Sequence, residues 1–130
     1  MNNVPARVGV ALLSTARIVS KQTVAFSVAV VNLSDEEFDV TFASGAQYDF
    51  TIYDGGGNKI WRWSEAQPPP TGIPISIHIK KQGFYVLGPT NALDVVSLLP
   101  AGSKMFKITG TILSNSFPAE ASLDITVANA

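Results

Sequence analysis

The chain of 130 residues contains no cysteine and one histidine, His78. Without cysteine there is no disulfide framework, thiol nucleophile, iron–sulfur cluster or thiolate zinc site. A single histidine excludes a His-rich metal centre and leaves one imidazole for acid–base work. Charge is scarce as well. Nine Lys and Arg stand against ten Asp and Glu, a net charge of −1, and only 15% of residues are charged. No basic stripe exists to displace counterions, so nucleic acid is not an expected partner. No apolar run approaches the length that spans a bilayer, so a membrane is not expected either. The opening Met1-Asn2-Asn3-Val4-Pro5 lacks the basic and apolar regions of a secretory leader, and no signal peptide is expected.

What is present is apolar and alternating. Hydrophobic residues make up 46% of the chain, enough for a core and too many for disorder. Val8, Val10 and Leu12 share one face of a strand, and Val24, Phe26, Val28 and Val30 line another. The reverse face of that second strand, Ala25, Ser27, Ala29 and Val31, is partly apolar too. Val40 and Phe42, then Tyr48, Phe50 and Ile52, repeat the period of two. Ile73, Ile75, Ile77 and Ile79 form the cleanest stripe, with Ser76, His78 and Lys80 turned the other way. Phe84 to Leu87, Phe106 to Ile112, and Leu123, Ile125 and Val127 complete the set.

Turn residues punctuate these runs at spacings of roughly 8–12, the pattern of a β-sandwich of about eight strands. Asp54-Gly55-Gly56-Gly57-Asn58 reads as a hairpin turn, because a strand follows it and a phosphate loop would need a helix there. The one helical expectation is short, from Asn91 to Leu99, with Leu93, Val96 and Leu99 on its apolar face. Gln67-Pro68-Pro69-Pro70-Thr71-Gly72 reads as a stiff, polyproline-like connection within one domain spanning residues 1–130. The terminal Ala128-Asn129-Ala130 reads as frayed.

The candidate chemistry is thin. His78 with Ser76, and Asp94 or Asp49 as a third member, is the only conceivable triad, and no Gly-x-Ser-x-Gly elbow accompanies it. A half-exposed strand histidine accounts for it better. Asp35, Glu36, Glu37 and Asp39 lack the spacing of a calcium loop and read as a solvated turn. Trp61 and Trp63 lie on one face of an expected strand, with one read as core and the other as rim. No catalytic residue, cofactor or metal is expected, and the chain does not read as an enzyme.

One stretch is more specific. Phe42-Ala43-Ser44-Gly45-Ala46-Gln47-Tyr48-Asp49-Phe50-Thr51-Ile52-Tyr53-Asp54, followed by Lys59-Ile60-Trp61-Arg62-Trp63-Ser64, resembles the signature of the Bacillus intracellular proteinase inhibitor (BsuPI) family. Val30-Val31-Asn32-Leu33-Ser34 is similar to that family's strand end upstream, and Leu99-Pro100-Ala101-Gly102-Ser103 to its late turn. Two segments depart from it: residues 65–73, with their three prolines, and Val95-Val96-Ser97-Leu98, which lacks the family's tryptophan.

The resemblance implies an all-β, immunoglobulin-like antiparallel sandwich. It also implies a cytoplasmic protein whose partner is an intracellular subtilisin-like serine protease. An inhibitor needs a rigid exposed segment to dock in the enzyme's cleft. The candidate contacts are Pro68, Pro69, Pro70, Thr71, Gly72 and Ile73, then Lys81 and Gln82 in the turn after Ile79, and Leu87 with Gly88-Pro89-Thr90. The alternative is a non-inhibitory structural or adhesion module of a larger protein. The sequence assigns no oligomeric state.

Overall fold

A computed structural model describes residues 5–20, 22–88 and 92–128. The expectations for Met1 to Val4, Pro89, Thr90, Asn91, Asn129 and Ala130 lie outside the described residues. Among the described residues ten strands follow one another: β1 (Val8–Ser14), β2 (Ile18–Val19), β3 (Phe26–Asn32), β4 (Phe38–Phe42), β5 (Tyr48–Asp54), β6 (Lys59–Arg62), β7 (Ile75–Ile79), β8 (Gly83–Leu87), β9 (Met105–Ile112) and β10 (Ala119–Val127).

The strands assemble as β1-β3-β8, as β2-β10-β9-β5-β6, and as a β4-β7 ribbon. Every pairing between named strands is antiparallel except β2, which runs parallel to β10. With β1, β3 and β8 in the places of strands A, B and E, and β5, β9 and β10 in those of C, F and G, this is the immunoglobulin-like sandwich expected from the sequence. The β4-β7 ribbon flanks it, and the Thr41 backbone bonds to Asn115, Ser114 and Ser116 tie the ribbon to the β9–β10 turn.

The period of two sets which side chains meet between the sheets. Phe26, Val28 and Val30 of β3 face Phe50 and Ile52 of β5 and Phe106 and Ile108 of β9, all essentially without solvent exposure. Phe26 meets Phe50 edge-to-face at 5.0 Å between centroids and Trp61 at 6.0 Å. The sheets come closest at Gly110, where an added Cβ would lie 2.9 Å from Leu12 Cδ1 and 3.3 Å from Val28 Cβ.

Backbone bonding also orients β8. Leu33 N–H donates to the Arg7 carbonyl and Thr15 N–H to the Ala25 carbonyl, both at 3.0 Å. Odd-numbered residues of β3 therefore bond to β1, and even-numbered ones turn their amides towards β8. In β8 the bonded positions are Gly83, Tyr85 and Leu87, so Phe84 and Val86 direct their backbone groups to the open edge of the sheet.

Three expectations need correction, and one pairing was not foreseen. The stretch from Leu93 to Leu99 is not a helix. Leu93 forms a bridge with Val24, and only Val96–Leu98 winds into a 3₁₀ turn, which stops at the extended Leu99 because the residue before Pro100 is pushed out of the helical region. Ile73 lies outside the isoleucine strand, which begins at Ile75. Trp63 lies outside β6 and opens the 3₁₀ turn Trp63–Ala66. The pairing of Ile18–Val19 with β10 carried no readable period, because two residues cannot show one.

Candidate functional site

The proline segment forms a strap over the open end of the sandwich. β6 ends at Arg62, and the 3₁₀ turn Trp63–Ala66 carries the chain away from the sheet. Asp49 on β5 fixes that departure. Its carboxylate accepts from the Ser64 amide at 3.0 Å and from the Ser64 hydroxyl at 2.7 Å. An ion pair between Lys59 and Glu65 braces the same turn. The hydrogen bond from the Lys59 ammonium, and then its charge, hold the Glu65 carboxyl below its ordinary value.

Pro68, Pro69, Pro70, Thr71, Gly72 and Ile73 are all exposed, and Ile73 is 68% exposed. The strap is pinned at its far end, where Gly45 N–H donates to the Thr71 carbonyl at 2.8 Å. A Cβ on Gly45 would sit 2.7 Å from Thr71 Oγ1, so the glycine in the Ser44-Gly45-Ala46 turn permits this approach. Beneath the strap runs a groove of about 470 Å³, lined by Tyr48, Trp63, Gln67, the three prolines and Leu113. Its floor is aromatic. Tyr48 and Trp63 lie 4.9 Å apart between centroids at 32°, and Tyr48 continues to Phe50 at 5.5 Å. Trp61 and Trp63 are both half-buried and both pack against the core, and Trp63 also rims the groove, so the pair does not divide into one core and one rim residue.

The other candidate contacts stand elsewhere. Lys81 is exposed in the turn between β7 and β8. Gln82, beside it, has a positive φ of 53° and works as a brace. Its side-chain amide donates to the carbonyls of Leu33 and Ser34 at 3.1 Å and to Asp35 at 3.2 Å. Leu87 is not a contact residue. It is 4% exposed, faces Val28 across the ladder and belongs to the core, because its parity on β8 points between the sheets. Gly88 follows it with a φ of +97°, and Pro89 and Thr90 lie outside the described residues.

His78 does not meet Ser76, Asp94 or Asp49 in a triad. It pairs with Asp39 across the β4-β7 ribbon, Nδ1 lying 2.8 Å from Asp39 Oδ1 and Nε2 3.4 Å from Glu37 Oε2. The hydrogen bond to Asp39, then that to Glu37, raises its pKa above the ordinary value. Asp49 serves Ser64, and Asp94 accepts from the Ser97 amide at 3.3 Å. Among the described residues no group of three or more acidic or histidine side chains is arranged to hold a metal ion. No described helix is long and apolar enough to cross a membrane. The residues that sequence reasoning missed are Gly45, Tyr48 and Asp49 as supports of the strap. All three lie inside the resembling run, but nothing local to them shows that residues 68–71 fold back onto them.

Residues 12–67 match the family model BsuPI, described as intracellular proteinase inhibitor, so the resemblance read from residues 42–64 holds over this longer segment. No curated protein matches the chain. Among solved structures, the chain is similar to the CARDB domain of a Pyrococcus furiosus protein, at 15% identity and a TM-score of 0.43, covering 93% of this chain and 87% of that one. It is also similar to part of a Bacteroides uniformis beta-glucuronidase 2 calcium-binding mutant, at 11% identity and a TM-score of 0.42, covering 91% of this chain and 13% of that one.

Proposed function

From the match of residues 12–67 to the intracellular proteinase inhibitor model, we propose that residues 1–130 form one inhibitory unit acting on an intracellular serine protease of the subtilisin type. The observation that carries the mechanism is the strap. It is exposed along its whole length, stiffened by three prolines, and held at both ends, by Asp49 to Ser64 and by Gly45 to Thr71. A segment already fixed in an extended form loses little conformational entropy on docking. In this reading the strap lies along the protease cleft, Ile73 supplies the apolar anchor, and Lys81 contacts the rim. Inhibition proceeds by occupancy alone, with no catalytic group, cofactor or metal from this chain. The protein works in the cytoplasm, where a cysteine-free scaffold has no need of disulfides.

The test is a progress-curve assay of subtilisin-type proteases with the purified chain. Inhibition at micromolar protein is expected, weakened at least tenfold by Ile73→Asp with the far-UV spectrum unchanged. Absence of inhibition at 10 μM, on the order of a weak specific complex, overturns the reading. One observation favours a second reading, a non-inhibitory interaction module of a larger protein. The matched segment ends at residue 67, and the strap begins at residue 68, so the exposed contacts are this chain's own. The same assay separates the two readings.

A further inference from the structure

The outer face of the β1-β3-β8 sheet is unusual in carrying no charge within its three paired rows. Registers place three rows across it: Gly9, Val31 and Phe84; then Ala11, Ala29 and Val86; then Leu13 and Ser27, with Gly88 lying against Ser27. Arg7 and Leu33 stand beyond the first row, and Thr15 and Ala25 beyond the third. Sheets with one wet face normally show polar side chains there. Here Phe84 is 71% exposed, Leu33 51%, Leu13 46% and Val86 38%.

The relief of this face is complementary to itself. Its two bulky corners, Phe84 and Leu13, lie on one diagonal, and two glycines, Gly9 and Gly88, lie on the other. A two-fold axis running across the strands through the Ala11–Ala29–Val86 row exchanges the first and third rows. Phe84 of one copy then lies over Gly88 of the other, and Leu13 over Gly9. Leu33 meets the region of Ala25, where a hollow of about 180 Å³ is lined by Leu13, Thr15, Ala25 and Ser27. The same axis carries the two Arg7 side chains to opposite ends of the interface, so the pairing brings no like charges together. An axis along the strands would leave both Arg7 side chains at one end.

We propose that this face is the interface of a symmetric dimer of the chain, two sheets packed face to face about that axis. Isologous pairing of this kind is the commonest oligomer symmetry, and aligned sheets pack about 10 Å apart. The exposed side chains offer roughly 400–500 Å² per copy, on the order of 800–1,000 Å² in all, taking about 200 Å² for a phenylalanine. That is the low end for specific interfaces, so the dimer is weak and reversible. It goes beyond the inhibitory reading and does not depend on it, because the strap lies over Tyr48 and Trp63 and shares no residue with this face.

Sedimentation equilibrium between about 10 μM and 1 mM, a range suited to weak association, tests it. Wild-type chain is expected to approach twice its monomer mass over this range. Gly9→Arg is expected to weaken association at least tenfold without harming the fold, since a Cβ there meets nothing within 4 Å. Phe84→Asp, from the opposite corner, is expected to do the same. A wild-type chain that stays monomeric overturns the proposal. So does a dimer that survives Gly9→Arg, which assigns the contact to edge-to-edge pairing of β8, because Gly9 stands on β1 across the sheet from that edge. Protease inhibition plays no part in these readings, so the two conclusions fail separately.

Discussion

Replacing Asn32 tests the account of how the turns of this sandwich are joined. Asn32 ends β3 without solvent exposure, and each of its polar atoms is used. Its side-chain amide donates to the carbonyl of Glu36 at 2.7 Å and to that of Lys80 at 3.1 Å. Its side-chain oxygen accepts from the Ser34 amide at 3.0 Å and the Ser34 hydroxyl at 2.6 Å. One side chain thereby links the turn after β3 to the turn before β8. Asn32→Ala strands the Ser34 amide and takes one donor from each of two carbonyls, leaving the Glu36 carbonyl with the Ser34 hydroxyl and the Lys80 carbonyl with the Gly83 amide. At about 1–3 kcal/mol for a buried group left unpaired, the loss is about 1–3 kcal/mol. Urea unfolding measures it, and the melting temperature is expected to fall by roughly 4–12 °C.

Asn32→Asp sharpens the test. It keeps the size but turns a carboxylate oxygen towards two carbonyls, which disfavours the charged form and raises its folded pKa above the unfolded value of about 3.9. The folded variant then binds more protons than the unfolded chain, so its deficit against wild type shrinks as pH falls through the raised value. Once protonated, the carboxyl can donate to one of the two carbonyls. An Asn32→Ala loss below about 1 kcal/mol, or an Asn32→Asp deficit that is flat from pH 7 to 4, refutes the bridging role.

Three further outcomes are expected. Gly110→Ala, with Leu12 Cδ1 2.9 Å from the new Cβ, overpacks the core and costs about 1–3 kcal/mol in denaturant unfolding. His78 titrates above its ordinary value because Asp39 and Glu37 flank it, and NMR titration of Asp39→Asn should bring it down. The stability gained from this cluster is fully present below the unfolded pKa of about 6.5 and is lost as pH rises through the raised folded value. Asp49→Ala frees the Ser64 amide and hydroxyl, costs about 1–2 kcal/mol, and should alter Trp63 fluorescence before the global transition.

The fold was readable wherever one face of a strand is buried and the other wet, because burial then writes itself as alternation. Val28 and Val30 against Ser27, and Ile77 and Ile79 against His78, are such cases. Reading failed where no alternation is required. Ile73 continues the isoleucine period but sits on the strap, since a pattern of side chains does not say where the ladder stops. Leu87 ends an expected strand beside Gly88 and was also a candidate contact, yet its parity on β8 buries it. The strap itself was legible as stiff from its prolines. Its anchorage was not, because the contact between Gly45 and Thr71 spans 26 positions and depends on an absent side chain.

The division of labour between the matched segment and the rest follows from these placements. Residues 12–67 include Asn32, Gly45, Asp49 and Phe50, which set turns, anchor the strap or fill the core. The exposed strap residues and Phe84 fall outside that segment, and a change of side chain at these exposed positions costs little in packing. A scaffold organised this way can alter what it binds without altering how it folds. The apolar sheet face belongs to β1, β3 and β8, whereas the strap is supported by β5 and the turn after β6. Self-association through the one therefore leaves the other open, and a dimer would present two straps to its targets. If the strap binds a protease, pairing doubles the sites per particle without any change in the affinity of each.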